Sequence, residues 1–102
     1  MCRGFWGRRW SKGLAGAIVK AIRLSAHARE QAEFRGALEH ETANAITSES
    51  WQAAANGRFE CAMDFPFGSV WNGRGYQTKR VRPIFVEEAT QIVVVTVYVY
   101  YF

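Results

Sequence analysis

The sequence predicts an α+β domain with two N-terminal helices packed on one face of a three- to four-stranded, mainly antiparallel sheet. Three observations carry that reading. The run from Gln91 to Phe102 is almost wholly β-branched or aromatic, with no Gly or Pro, and reads as a strand. Ser25 before Ala26, and Gly36 after Arg35, bracket a capped helix. Asn72-Gly73 between strand-like residues is the strongest short hairpin signal.

Charge divides the chain before any element is assigned. The 102 residues carry 13 basic and 9 acidic side chains, a net +4. Residues 1–24 hold six of the basic residues (Arg3, Arg8, Arg9, Lys12, Lys20 and Arg23) and no acidic one. Residues 25–102 therefore hold seven basic against nine acidic residues, a net −2. The basic pI belongs to the N-terminal arm, so it supplies no argument for nucleic-acid binding by the rest. Residues 1–21 read as a basic, flexible leader and 22–102 as one domain. The apolar stretch from Leu14 to Val19 is too short for a secretory signal and is followed by Lys20 and Arg23. A basic arm of this kind suits contact with nucleic acid or an anionic membrane, or is simply an extension.

Ile22-Arg23-Leu24 reads as a short strand entering the domain or as a cap. The first helix, Ala26 to Arg35, groups His27, Gln31 and Arg35 along one side and offers Ala28 and Ala32 for close packing. A second helix is expected over Glu39 to Ser48, with Glu39 and Glu41 near its positive end and Leu38, Ala45 and Ile46 toward the core. Glu49 to Gly57 reads as a connection anchored by Trp51, with room for one further helical turn. Arg58 to Phe65 suits a strand ended by Pro66 and Gly68. Gln77 to Val86 is a further strand, in which Pro83 calls for a bulge or a missing ladder bond.

In the last strand, period two puts Val93, Val95, Val97, Val99 and Tyr101 on one apolar face, expected against the helices. Ile92, Val94, Thr96, Tyr98, Tyr100 and Phe102 form the other face. A strand apolar on both faces belongs in the middle of a sheet. The same alternation separates Lys79 and Val81 from Arg80 and Arg82, whose face is expected to be at least partly open.

No segment is apolar over a membrane-spanning length, so no membrane partner is expected. Cys2 and Cys61 fit neither a disulfide framework nor a metal-ligand spacing, and His27 and His40 alone make a poor ligand set. The expectation is a protein of the reducing cytoplasm with no metal and no cofactor.

The stretch Ser25 to Gly36 resembles the opening helix of a bacterial family catalogued as domain of unknown function 4258. Trp71 to Val81, then Phe85 to Glu88 and Val94 to Tyr98, resemble its closing strands in the same order and spacing. The resemblance covers about residues 22–102; it departs at Arg80, where Gln is expected. It implies a RelE/ParE-like toxin fold, an RNA substrate or a protein target, and an antitoxin protein as partner. The activity so implied is metal-independent endoribonuclease action. The alternative is a non-catalytic protein- or RNA-binding module of the same fold.

RNA cleavage without a metal needs a general base, a general acid and cations around the phosphorane. His27, Lys79 and Tyr98 are the candidate catalytic residues, His27 because an imidazole is the side chain best suited to taking and giving a proton under neutral conditions. Arg29, Arg35, Arg80, Arg82 and Thr96 are candidates for holding phosphate or a partner, since guanidinium forks match such oxygens. Each has a plainer role available. Arg29 and Arg35 have Glu33 and Glu39 within reach, and strand tyrosines often serve as core residues with a satisfied hydroxyl.

Overall fold

The computed structural model describes residues 20–102. In chain order the elements are β1 (Ala21–Leu24), α1 (Ala26–Arg35), α2 (Glu39–Ser48), β2 (Gln52–Ala53), a 3-10 turn (Ala55–Gly57), β3 (Phe59–Glu60), β4 (Met63–Trp71), β5 (Arg74–Glu87) and β6 (Gln91–Tyr101). The expected leader, up to residue 19, lies outside the described residues.

Local chemistry sets the helix ends. The Ser25 hydroxyl accepts a hydrogen bond from the Ala28 N–H at 3.1 Å, satisfying one free donor of the first turn. Gly36 closes α1 in the left-handed region at φ 87°, and the Ala37 N–H returns to the Ala32 carbonyl at 2.8 Å. Leu38 precedes α2 without a side-chain acceptor. There the Glu41 carboxylate accepts the Leu38 N–H at 2.9 Å.

The sheet departs from the three- to four-stranded, mainly antiparallel arrangement expected. Among the described residues it is six-stranded and mixed, in the order β1-β6-β5-β3-β2, with β4 also paired to β5. β1 adds a strand parallel to β6, pairing Ala21–Leu24 with Gln91–Val94. The connection after Trp51 contributes β2, which pairs with β3, and β3 pairs in turn with β5. β3 and β4 lie end to end along the same edge of β5, separated by Cys61 and Ala62. Pro83 sits opposite this break, its carbonyl accepting the Cys61 N–H at 3.4 Å, so the donor it lacks falls where the ladder is already interrupted. Pro66 and Gly68 do not end β4 as expected. Among the described residues β4 pairs only with β5, and a register shift between Pro66 and Ser69, with Gly68 at φ 56°, absorbs both residues. The β4–β5 turn has positive φ at both Asn72 and Gly73, as a two-residue type I′ hairpin requires.

β6 carries the other correction. Ile84 pairs with Thr96 but Phe85 pairs with Val94, leaving Val95 as an extra residue. This bulge changes the parity of the buried face. Ile92 and Val94 face the helices before it, and Val97, Val99 and Tyr101 do so after it. β6 is central only over Gln91–Val94, because β1 ends at Leu24 and no described strand continues beside Val95–Tyr101.

α1 lies over β6 and α2 over β5, on one face of the sheet. Ala28 and Ala32 bring α1 close, while Thr42, Ala45 and Ile46 seat α2 on Val81 and Phe85. Leu38, expected in the core, is exposed in the α1–α2 turn. Trp51 anchors its segment by donating to the Ile46 carbonyl at 2.8 Å and meeting Phe85 edge-on at 4.9 Å. At the other end, Tyr101 stacks on Trp71 and donates its hydroxyl to the Arg35 carbonyl at 2.8 Å. A Cβ on Gly36 would stand 2.5 Å from the Tyr101 oxygen and 2.9 Å from Trp71. Gly36→Ala is expected to cost about 1–3 kcal/mol, from left-handed strain and crowding together, measured as a lower urea midpoint with an unchanged slope.

Candidate functional site

Alternation along β5 sorts the candidate residues onto opposite sides of the sheet. Lys79, Val81, Pro83 and Phe85 point toward the helices and are buried. Arg80 and Arg82 point the other way, to a face that no described element covers.

Lys79 is enclosed rather than presented. Its ammonium lies 2.8 Å from Glu41 Oε1 and 3.0 Å from the Gly36 carbonyl, with side-chain exposures of 7% and 10% for the two charged partners. It also stands 5.7 Å from the centroid of the Phe67 ring. A buried charge is tolerated only when paired, and here the cation meets the negative end of α1 while Glu41 occupies the first turn of α2. This geometry makes Lys79 a clamp between the sheet and the helix turn. Nearby, burial first and the Glu41 charge second raise the Tyr101 hydroxyl above its ordinary pKa.

His27 and Arg29 are exposed on α1, the helix-bearing side. His27 makes no hydrogen bond or ion pair among the described residues, and Arg29 meets Glu39 at 3.4 Å in an open surface pair. The proposed catalytic trio is therefore not brought together: His27 is on a helix surface, Lys79 beneath the helices, and Tyr98 on the opposite face of the sheet.

The remaining candidates do converge. On the open face Arg80 forks onto Asp64, with Nε 2.6 Å from Oδ1 and Nη2 3.1 Å from Oδ2. This hydrogen bonding, reinforced by the Arg80 charge, holds the Asp64 carboxyl below its ordinary range. Arg82 reaches Glu60 at 2.5 Å and the Tyr100 hydroxyl at 3.2 Å. Arg35 comes from the end of α1 around the edge of β6, donating to the Val97 carbonyl at 2.8 Å. Its guanidinium carbon lies 5.0 Å from the centroid of the Tyr98 ring, and that of Arg82 lies 5.6 Å from the same ring. Arg80 stands likewise 5.1 Å from the ring of Phe102. Thr96, paired with Ile84, is half-buried on the same face.

Tyr98, Tyr100 and Phe102 remain 37%, 44% and 54% exposed, so one sheet face presents three rings interleaved with three guanidinium groups. Glu60, Asp64, Tyr100 and Phe102 were absent from the sequence candidates. The parity of Thr96 and Tyr98 already grouped Tyr100 and Phe102 with them; the two carboxylates needed the register of β3 and β4 against β5.

Among the described residues, no group of three or more His, Cys, Asp or Glu side chains converges on a metal position, and no helix is long and apolar enough to cross a membrane. Cys61 is buried; burial first, then the charges of Glu49 and Glu60, push its thiol up to about 12. No family model matches the chain, and neither a curated protein nor a solved structure does.

Removing one member of the buried pair, as Lys79→Ala or Glu41→Ala, is expected to lower stability by about 3–5 kcal/mol. The double variant Lys79→Met with Glu41→Leu should regain most of that loss in the same urea titration. On the open face, Arg80→Gln should raise the Asp64 titration midpoint toward its ordinary 3.8 in a carbon-detected NMR titration. Because the folded-state value is depressed, the contribution of this pair is present above the ordinary value and disappears as pH falls through the lower one.

Proposed function

We propose that this chain is a non-catalytic protein-interaction module that binds its partner through the open sheet face. The observation that carries the reading is the interleaving of Tyr98, Tyr100 and Phe102 with Arg35, Arg80 and Arg82 on one exposed surface. Tyrosine and arginine are the residues most often found at the energetic centres of protein interfaces. They contribute large, rigid contact area and fixed hydrogen-bond donors.

Charge favours a protein over a polyanion. Arg80 and Arg82 are already paired with Asp64 and Glu60, so three guanidinium groups meet two carboxylates on this face. Residues 25–102 are net negative as well. A phosphate chain gains little from such a surface, whereas a protein of mixed polarity can match it. The resemblance to a toxin family is compatible with this reading, because it implies a protein antitoxin as one partner.

The test is photo-crosslinking in the producing cells, with benzoylphenylalanine replacing Tyr100, and replacing Phe34 on α1 as a control. A discrete protein adduct at position 100, absent at 34, is expected. Arg82→Ala should weaken binding of that protein by about 2 kcal/mol, roughly thirtyfold, in a direct titration. An adduct with RNA instead, or new RNA ends that vanish with His27→Ala, would overturn the proposal in favour of a ribonuclease.

A further inference from the structure

The outer edge of β6 carries a row of backbone groups whose direction follows from the register. Thr78 and Phe102 exchange both hydrogen bonds, the Thr78 N–H donating at 2.8 Å and the Phe102 N–H at 3.0 Å. In an antiparallel ladder such doubly bonded pairs alternate, so Arg80 with Tyr100 and Arg82 with Tyr98 bond in the same way. Val97, Val99 and Tyr101 must then aim their N–H and C=O groups away from β5. β1 ends at Leu24, opposite Val94, and no described strand takes these groups up. Only the Val97 carbonyl has a partner among the described residues, the Arg35 guanidinium. An apolar edge of this kind is a template for one more strand.

Arg35 states what that strand should carry. It lies at the edge and over Tyr98, and no described carboxylate is within ion-pair distance of it, unlike Arg80 and Arg82. A segment paired with Val99 and Tyr101, leaving the Val97 carbonyl to Arg35, sends the side chain opposite Tyr98 to the open face, beside this guanidinium. A Glu or Asp there completes the pair. Two occupants from the chain itself lack this complement: residues 1–19 contain no acidic residue, and Gln91–Phe102 of a second copy contains none either.

We infer that the outer edge of β6 binds an extended segment of a partner protein as an added strand, with a carboxylate of that segment held by Arg35. This rests on the protein-interaction reading and names the partner's chemistry. Alternation gives the segment small apolar or β-branched residues opposite Val97, Val99 and Tyr101, and an acidic residue opposite Tyr98.

The test uses the full chain and two fluorescein-labelled peptide amides, Val-Thr-Val-Glu-Val and its reverse order Val-Glu-Val-Thr-Val, covering the antiparallel and parallel directions. One of them is expected to bind and to slow hydrogen exchange at the Val99 and Tyr101 amides, read by NMR. Replacing its Glu by Gln should weaken binding about tenfold, the size of one charge-assisted contact. N-methylation of the peptide backbone should abolish binding. Arg35→Glu should reject the Glu peptide and accept its Lys counterpart, which keeps the test decisive if Arg35→Ala fails to fold. Three results would overturn the inference: no exchange protection with either peptide at millimolar concentration, equal binding of Glu and Gln peptides, or protection arising without peptide from dimers seen by sedimentation. If the peptides fail while the Tyr100 photo-adduct persists, the open face still binds a protein and only the added strand is lost. If the adduct is also absent, the interaction reading fails with it.

Discussion

The buried contact between Lys79 and Glu41 is the constraint on which the arrangement depends. It joins three elements at one point: the last carbonyls of α1 at Gly36, the first turn of α2, and the middle of β5. Both charges are favourably placed with respect to the helix dipoles, the cation at a negative end and the carboxylate at a positive one. Neither is easily spared, because either alone would be an unpaired charge beneath the helices. The pair also fixes the parity of β5. With Lys79 turned inward beside Val81 and Phe85, Arg80 and Arg82 must turn outward. A structural interaction on one side of the sheet thus decides which side chains are available on the other.

The bulge at Val95 does the corresponding work in β6. It allows Ile92 and Val94 to share the helix face with Val97, Val99 and Tyr101, and leaves Thr96, Tyr98 and Tyr100 on the open face opposite Ile84, Arg82 and Arg80. Carboxylates from the neighbouring edge hold the two arginines in place, Asp64 on Arg80 and Glu60 on Arg82. These pairs are partly exposed, so their worth lies less in stability than in orienting planar groups beside the rings. These contacts hold the guanidinium groups and the rings in fixed positions relative to one another. Arg35 is the exception, tied to a backbone carbonyl and to a ring but to no described carboxylate.

What was legible in the sequence was local. Ser25, Gly36 and Asn72-Gly73 each act through the conformation of a few adjacent residues, and each is found where the sequence placed it. The phase of Lys79 with Val81, and of Arg80 with Arg82, was readable for the same reason. The parallel pairing of β1 with β6 was not, since it joins residues about seventy positions apart. Nor was the bulge. In a run of valines either parity yields an apolar face, so the pattern holds no mark of where it shifts. The burial of Lys79 against Glu41 was not legible, because Glu41 looked like an ordinary acidic residue in a first helical turn. The phase of Lys79 with Val81 and Phe85 was the available sign of burial.

β5 keeps its buried cation, Lys79, on one face and Arg80 and Arg82 on the other. The most direct measurement is side-chain NMR of the partner complex, following the arginine Nε–H, tyrosine ring and lysine ammonium signals as the photo-crosslinked protein is titrated in. Shifts confined to Arg35, Arg80, Arg82, Tyr98 and Tyr100, with the Lys79 ammonium slow to exchange and unmoved, are what this account predicts. A Lys79 signal that exchanges freely, or that shifts together with His27, would contradict it and put the working surface on the helix side.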